Sequence, residues 1–522
     1  MNYRLLFHTL CYLRGKQFLY QILKRVHKVS YRNYEAPNTQ IPQLKTEPIP
    51  RWKCCEEETF TFLNLKQPFS GWSFTGNGML WAYNQNYFDW INQQGTTEED
   101  GCKWIDKFIE ELPDNKVGLD PYPTALRCIN WVKFFCRYPD SATKSRMDSL
   151  WSQYKLLERK LEFHLLGNHL LEDAYSLFVG AVFFADEKMM EKASNLLLEQ
   201  LEEQILNDGG HYEQSPMYHC ILLDRLLDAI NIAGEHTKIE NSLREYARCM
   251  VGWLKSICYT DGSIPLLNDS ALGIAPSPTQ IINYARRLNI DTEATPLSES
   301  GYRKMKFGIM EVVIDVGRIT ATYQPGHSHA DALNFELQIG GKPFIVDTGI
   351  TTYDKNSRRQ MERSTAAHNT VTIDDRDSSE VWGGFRVGHR ATVVVKKEIS
   401  REKNAEIVAY HDGFGLLHER HFLMDENCFM VSDRCIAEDK KALAMSRCVS
   451  HIHFSPLVGI VSLKEDNMIH TQFADIKVTG ASAISLTSCE VSTEYNRPQR
   501  STEVLITFVS QCHFSIFPFV QS

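Results

Sequence analysis

Two histidines two residues apart, His327 and His329, open the stretch Gln324 to Gly349, which closes on Val346-Asp347-Thr348-Gly349. Between them Leu333, Phe335, Leu337 and Ile339 alternate with other residues, the period of a half-buried strand. Gly340-Gly341 supplies a hairpin turn. Residues i and i+2 of a strand share a face, so, where the strand already starts at the histidines, His327 and His329 point into one site, and the return strand is expected to carry Asp347 back towards them. Further on, Ala366-Ala-His368-Asn-Thr-Val-Thr-Ile373 sets another histidine at the mouth of an alternating segment. Three adjacent strands thus bring His329, Asp347 and His368 to one point.

The first half carries polar clusters of another kind. In Leu166-Gly-Asn168-His169-Leu-Leu-Glu172, Asn168 is placed to cap a helix, with His169 and Glu172 on one face. The segment Asn207-Asp-Gly-Gly-His-Tyr-Glu213-Gln-Ser-Pro-Met-Tyr218-His219 packs two tyrosines, two histidines and a glutamate between helical stretches, more chemistry than a turn requires. Pro216 fits the first helical position, which puts Tyr218 in the first turn, where the helix dipole lowers a phenol pKa modestly. Arg127 and Trp131, i and i+4 in Tyr122–Trp131, offer either an Arg/aromatic contact for a sugar acid or a helical core with a snorkelling arginine. Glu172 with Glu213 is a candidate carboxylate pair for a hydrolase. Six arginines in 358–390, Arg363 among them, form either a solvated charged loop or a local anion-binding wall.

The elements that must position these residues follow from periodicity. The 522 residues exceed one ordinary core. Residues 1–75 hold a basic amphipathic helical segment and a Pro-rich, irregular lead-in. The helix is expected to pack on its own protein rather than on a membrane surface. Residues 76–295 show helical spacing in nine segments joined by short loops, a pattern of antiparallel helix pairs in a curved solenoid or an α/α barrel. From 300 to 522 the period becomes that of strands, an all-β domain large enough for a sandwich. A formal net charge of −9 argues against a general nucleic-acid binder. Fourteen cysteines, scattered and without a CxxC pair, suit a reducing compartment. No stretch reaches a transmembrane length, and the first residues make a poor signal peptide. A cytoplasmic location is therefore expected, with a periplasmic or envelope-associated one as the alternative, and a monomer or homodimer.

Asn168-His169 with Glu172, Asp208-Gly-x-x-x-Glu213-x-Ser-Pro-x-Tyr218-His, Pro265-Leu-Leu-Asn-Asp269, His327-x-His329-x-Asp331, Val346-Asp-Thr-Gly349 and Ala367-His-Asn-Thr370 occur in an order that resembles the heparinase II/III family of polysaccharide lyases. The resemblance implies an α+β multidomain fold, an N-terminal incomplete (α/α) toroid followed by a C-terminal antiparallel β-sandwich. It implies β-elimination on a uronic-acid polysaccharide, glycosaminoglycan-like or a bacterial exopolysaccharide. Asn168 and His169 would neutralise the substrate carboxylate, Tyr218 would be general base and acid, and His327 a second catalytic histidine. His329, Asp347 and His368 match the ligands of a structural zinc in metal-containing members. Arg127, Trp131, Glu172, Glu213, Tyr353 and Arg363 are expected to contact substrate. A carbohydrate-binding or scaffold protein of surface-polysaccharide synthesis, and a glycoside hydrolase, are the competing readings.

Overall fold

The computed structural model describes residues 3–26, 28–234, 239–437 and 446–519. Among the described residues, nine α-helices run between Met79 and Arg287, and from Tyr302 onward the major elements are strands. The helices form the toroid and the strands the antiparallel sandwich. Gly167–Phe184 is apolar almost all round and so is buried among neighbours. It packs on Pro121–Arg137, Glu187–Gln204 and Pro216–Ile232. Pro216–Ile232 starts as its sequence dictates: Ser215 Oγ accepts the Tyr218 amide and Pro216 occupies a position whose N–H needs no partner.

The sandwich has an eight-stranded sheet into whose middle the C-terminal strand Gln511–Pro518 inserts, between Phe429–Ile436 and Ala474–Thr479. A four-stranded sheet runs Ala483–Val491, Gln499–Phe508, Cys448–His453, Val371–Ile373. A second follows chain order: Tyr302–Phe307, Met310–Asp315, Phe335–Ile339, Lys342–Ile345. Phe335, Phe422, Phe429 and Phe514 fill the space between layers.

Three features depart from the sequence reading. The lead-in contains a small antiparallel sheet, Cys55–Glu56, Thr59–Phe62 and Leu65–Pro68, whose Phe60 and Phe62 pack on Trp90 and Trp81. His327 and His329 are not on a strand: the chain is irregular before Phe335, and Asp347 lies beyond the end of Lys342–Ile345. The strand rule that put both histidines on one face therefore does not apply. Finally, the N-terminal helices Tyr3–Leu10 and Gly15–Val26 pack on their own protein through polar groups. Trp382 Nε1 donates to Thr9, His8 lies 2.7 Å from Glu380, and buried Gln17 donates to Leu165 O and Tyr323 O. Phe7, Phe18, Leu19 and Ile22 stay exposed.

Candidate active site

Toroid and sandwich meet at a cleft of about 680 Å³. Asn168 and His169 come from the start of Gly167–Phe184, Tyr218 from the first turn of Pro216–Ile232, and His327 and Tyr353 from loops of the β domain. The His327 ring stacks on Tyr218 with centroids 3.9 Å apart. Tyr353 Oη lies 3.4 Å from both Tyr218 Oη and His327 Nδ1. Five expected site residues, Asn168, His169, Tyr218, His327 and Tyr353, thus share one cavity wall.

Asn168 does not cap its helix. Leu166 and Gly167 take positive φ, the helix begins at Gly167, and Asn168 falls in its first turn. Its orientation comes from Glu213, whose Oε1 accepts the Asn168 backbone N–H at 2.9 Å and whose Oε2 accepts Nδ2 at 2.8 Å. The same Nδ2 lies 3.3 Å from His327 Nε2. His327 Nδ1 faces Asp269 Oδ2 at 2.9 Å. A carboxylate accepts, so Nδ1 carries the proton and Nε2 keeps its lone pair beside the Asn168 amide.

Asp269 is the residue that composes this group, and its role was not legible in the sequence. Its carboxylate lies between His327 and His329, whose Nε2 is 2.8 Å from Oδ1, and Arg359 grips it bidentately at 2.5 and 2.6 Å. Burial alone would raise its pKa, but Arg359 and the two histidines hold it well below the ordinary carboxylate range. Its partners stand 58 and 90 residues away, so no local pattern announces it beyond its place in Pro265-Leu-Leu-Asn-Asp269. Tyr495, whose ring is 5.4 Å from Tyr353, is a second unforeseen member, and Tyr83, Tyr87 and Tyr122 add aromatic wall.

Burial also governs Tyr218. It raises the phenol pKa, and Asp269 and Glu213 push the same way against Tyr353 and Arg359. The expected lowering by the helix dipole is overturned by desolvation. His169 behaves oppositely: burial disfavours its charge, yet Glu162, 2.9 Å from Nδ1, lifts its pKa above the ordinary histidine value.

Five expected substrate contacts lie elsewhere. Arg127 and Trp131 are buried in the toroid core, Arg127 donating to Gln153, Asn86 O and Gly118 O, and Trp131 packed on Phe88 and Phe108. Glu172 is buried 3.7 Å from Arg225, with burial raising its pKa to about 7. Glu213 positions Asn168 as described. Arg363 donates to Ser328 O and braces the histidine loop from behind. None of the six arginines of 358–390 lines the cleft. Arg358 pairs with Glu362 and Glu490 and Arg359 with Asp269, so the anion wall is absent among the described residues.

The metal expectation can be tested on orphaned atoms. His329 Nε2 is taken by Asp269, leaving Nδ1 buried without a partner; burial pushes its pKa down to about 4, so the ring is neutral. His368 Nδ1 lies 2.7 Å from Asp347 Oδ2, and its Nε2 is likewise unpartnered, as is Asp331 Oδ2. The His329 and His368 ring centroids are 5.2 Å apart. The donor set fits a zinc-class ion in chemistry, although the His329, Asp347 and His368 donors do not all fall within 4.8 Å of one another.

A helical toroid joined to an antiparallel sandwich, with tyrosine, amide and imidazole at the seam, defines the architectural class. The heparinase II/III N-terminal model matches residues 135–289 and the heparinase II/III-like C-terminal model residues 289–516. The chain belongs to the heparinase II/III family. A heparin-sulfate lyase of Bacteroides stercoris is 23% identical over 475 residues, 81% of this chain and 67% of that protein. One of Pedobacter heparinus is 25% identical over 438 residues, 76% of this chain and 61% of its own length. The chain thus spans about two thirds of these relatives or less. Among solved structures, a heparinase III superposes with TM-score 0.68 at 15% identity, covering 96% of this chain and 89% of that one. A Streptomyces coelicolor A3 chondroitin AC lyase in complex with chondroitin sulphate gives 0.56 at 12%, covering 85% and 75%. Both show the fold.

Proposed function

We propose that this chain is a polysaccharide lyase that cleaves a uronic-acid-containing polymer of the glycosaminoglycan kind by β-elimination. The observation that carries this reading is the Tyr218–His327 stack, with the Tyr353 hydroxyl in reach of both, on the wall that also presents Asn168 and His169. The family membership and the heparin-sulfate lyases among its relatives support it.

Removing H5 from a uronate builds negative charge on its carboxylate, so that charge must be met by donors fixed in advance. Asn168, locked by Glu213, and His169, whose charged form Glu162 favours against burial, supply them. When the second Asn168 N–H turns from His327 Nε2 to the substrate carboxylate, that nitrogen's lone pair is available and takes the C5 proton. The electron pair forms the C4–C5 double bond, the C4–O4 bond breaks, and O4 receives the Tyr218 proton. Burial keeps that phenol protonated, which suits it to the acid step first. Proton exchange between Tyr218, Tyr353 and His327 then resets the site. Arg51, Lys133 and Arg225 in the cleft are already paired with Asp89, Asp228 and Asp224. That balance supports a polymer poor in sulfate. His329, Asp347 and His368 would hold a zinc ion that pins the loop behind His327. Glu172 and Glu213 do not line the cleft, which removes the motive for the hydrolase reading.

The test is a panel of uronate polymers of graded sulfation, followed by ultraviolet absorbance of the 4,5-unsaturated product. The chromophore should grow fastest on the least sulfated chains. New reducing ends without it would mean hydrolysis, and binding without cleavage would mean a scaffold protein.

A further inference from the structure

Away from the cleft, the outer face of the sheet Ala483–Val491, Gln499–Phe508, Cys448–His453, Val371–Ile373 carries a cluster that the proposed reaction does not use. We propose that His451, His453 and Glu503 form a second metal site, which takes a divalent ion of the zinc class and staples two strands of the sandwich. The placement follows from strand geometry. In Ser450-His451-Ile452-His453, alternation sends Ile452 into the core and both histidines to the opposite face. Antiparallel pairing sets His453 directly against Glu503 and His451 against Leu505.

The donors converge. His451 Nδ1 lies 2.7 Å and His453 Nε2 3.3 Å from the same Glu503 Oε1, and all three ligand atoms fall within 4.8 Å of one another. The rings are nearly parallel, at 6°, with centroids 6.3 Å apart. This is the one such three-donor group among the described residues.

The far nitrogen of each ring is held by oxygen, the arrangement that orients metal-binding histidines. His451 Nε2 lies 2.9 Å from Thr372 Oγ1. Asn369 Nδ2 donates to Phe335 O and Val346 O, which fixes its Oδ1 towards His453. That oxygen accepts the His453 backbone N–H at 2.7 Å and faces ring Nδ1 at 3.2 Å, so Nδ1 carries a proton. His453 Nε2 is then the nitrogen that faces the carboxylate, 3.3 Å from Glu503 Oε1. A cation seated among these atoms gives both rings and Glu503 a common partner. Two imidazoles and one carboxylate leave a position for water, and the Glu503 side chain, 14% exposed and opposite exposed Thr487, leaves an edge open to it.

The experiment strips the full chain with chelator, dialyses it into buffered Zn2+ and counts retained metal by elemental analysis, with Co2+ as a spectroscopic reporter. His451→Gln/His453→Gln should retain one equivalent less than the parent, and Glu503→Gln, whose amide keeps the shape, should bind Co2+ at least tenfold more weakly. Turnover of uronate polymer reports folding of these variants, because none of the three residues touches the cleft. The counts of His368→Ala separate this site from the one at His329, Asp347 and His368. Equal metal in parent and double variant, or unchanged Co2+ affinity in Glu503→Gln, would overturn the proposal. Loss of lyase activity with metal retained would leave it standing, so the two readings fail separately.

Discussion

At the scale of single residues, the cleft works through a chain of fixed polarity. Arg359 charges Asp269, Asp269 sets the His327 tautomer, and His327 meets Tyr218 and Asn168. Tyr218→Phe removes the proton that O4 needs, and general acid–base help is worth about 10²–10⁴ in rate. Turnover should fall by that order with polymer binding intact, while C5–H exchange in D2O persists if His327 is the base. An inactive variant that also fails to exchange would transfer the base role to Tyr218. Arg359→Met leaves the buried Asp269 charge with its two histidines but without its guanidinium partner, a loss of about 3–5 kcal/mol, readable by urea denaturation. His169 gives the pH dependence. Its folded pKa is raised, so its contribution to carboxylate neutralisation is full below the ordinary histidine value and is lost as pH rises through the folded one. kcat/KM should therefore decline on the alkaline side, and His169→Gln should flatten that limb; an unchanged limb would exclude His169 as its source. Residue types made Tyr218, His327 and His169 visible in the sequence, because a helix start or a histidine pair advertises itself locally. Arg127 and Trp131 looked equally suggestive and are core, since an i,i+4 pair says nothing about which way its helix faces.

Among elements, the site depends on how two segments begin. Helical period located Gly167–Phe184 and Pro216–Ile232 because hydrophobic spacing survives any packing partner. What it could not give is the backbone before them. Gly167 has φ +62°, and a Cβ there would stand 2.5 Å from Glu213 Oε1, the atom that accepts the Asn168 N–H. Gly167→Ala is thus both strained and displacing. It should lower kcat through Asn168 more than it lowers stability, which paired kinetics and thermal melts will separate; a melt that falls with kcat unchanged would put Glu213 outside the catalytic group. The irregular segment before Phe335 has a related cause. Apolar alternation begins only at Leu333 and does not fix where its strand starts; the strand starts at Phe335, so the condition for His327 and His329 to share a face is not met. Freed from strand alternation, the two histidines flank one carboxylate instead of sharing a face.

For the whole molecule, catalysis requires two domains to hold one geometry: Asn168, His169 and Tyr218 belong to the toroid, His327 and Tyr353 to the sandwich. Their separation by more than a hundred residues hides the seam from any local pattern, although the change of period near residue 300 shows that it must exist. Within the sandwich, the buried Arg420–Asp433 pair reaches Leu333 O and Asn369 O and so ties the histidine loop to the His368 corner. Across the seam, beside the Asp269 contacts to His327, His329 and Arg359, a further tie is Gln17. Its amide donates at 3.2 Å to Leu165 O, beside the Asn168 turn, and at 3.3 Å to Tyr323 O, on the approach to His327. One side chain of a short N-terminal helix therefore holds both halves of the site. Replacing it by leucine keeps the volume and strands two carbonyls, each costing about 1–3 kcal/mol if left unsatisfied. Global stability spreads over two large cores, so Gln17→Leu should speed hydrogen exchange in 165–169 and 323–327 and lower kcat while leaving the main unfolding transition nearly unmoved. Unchanged exchange in those two segments would show that the seam is held by the surrounding packing alone.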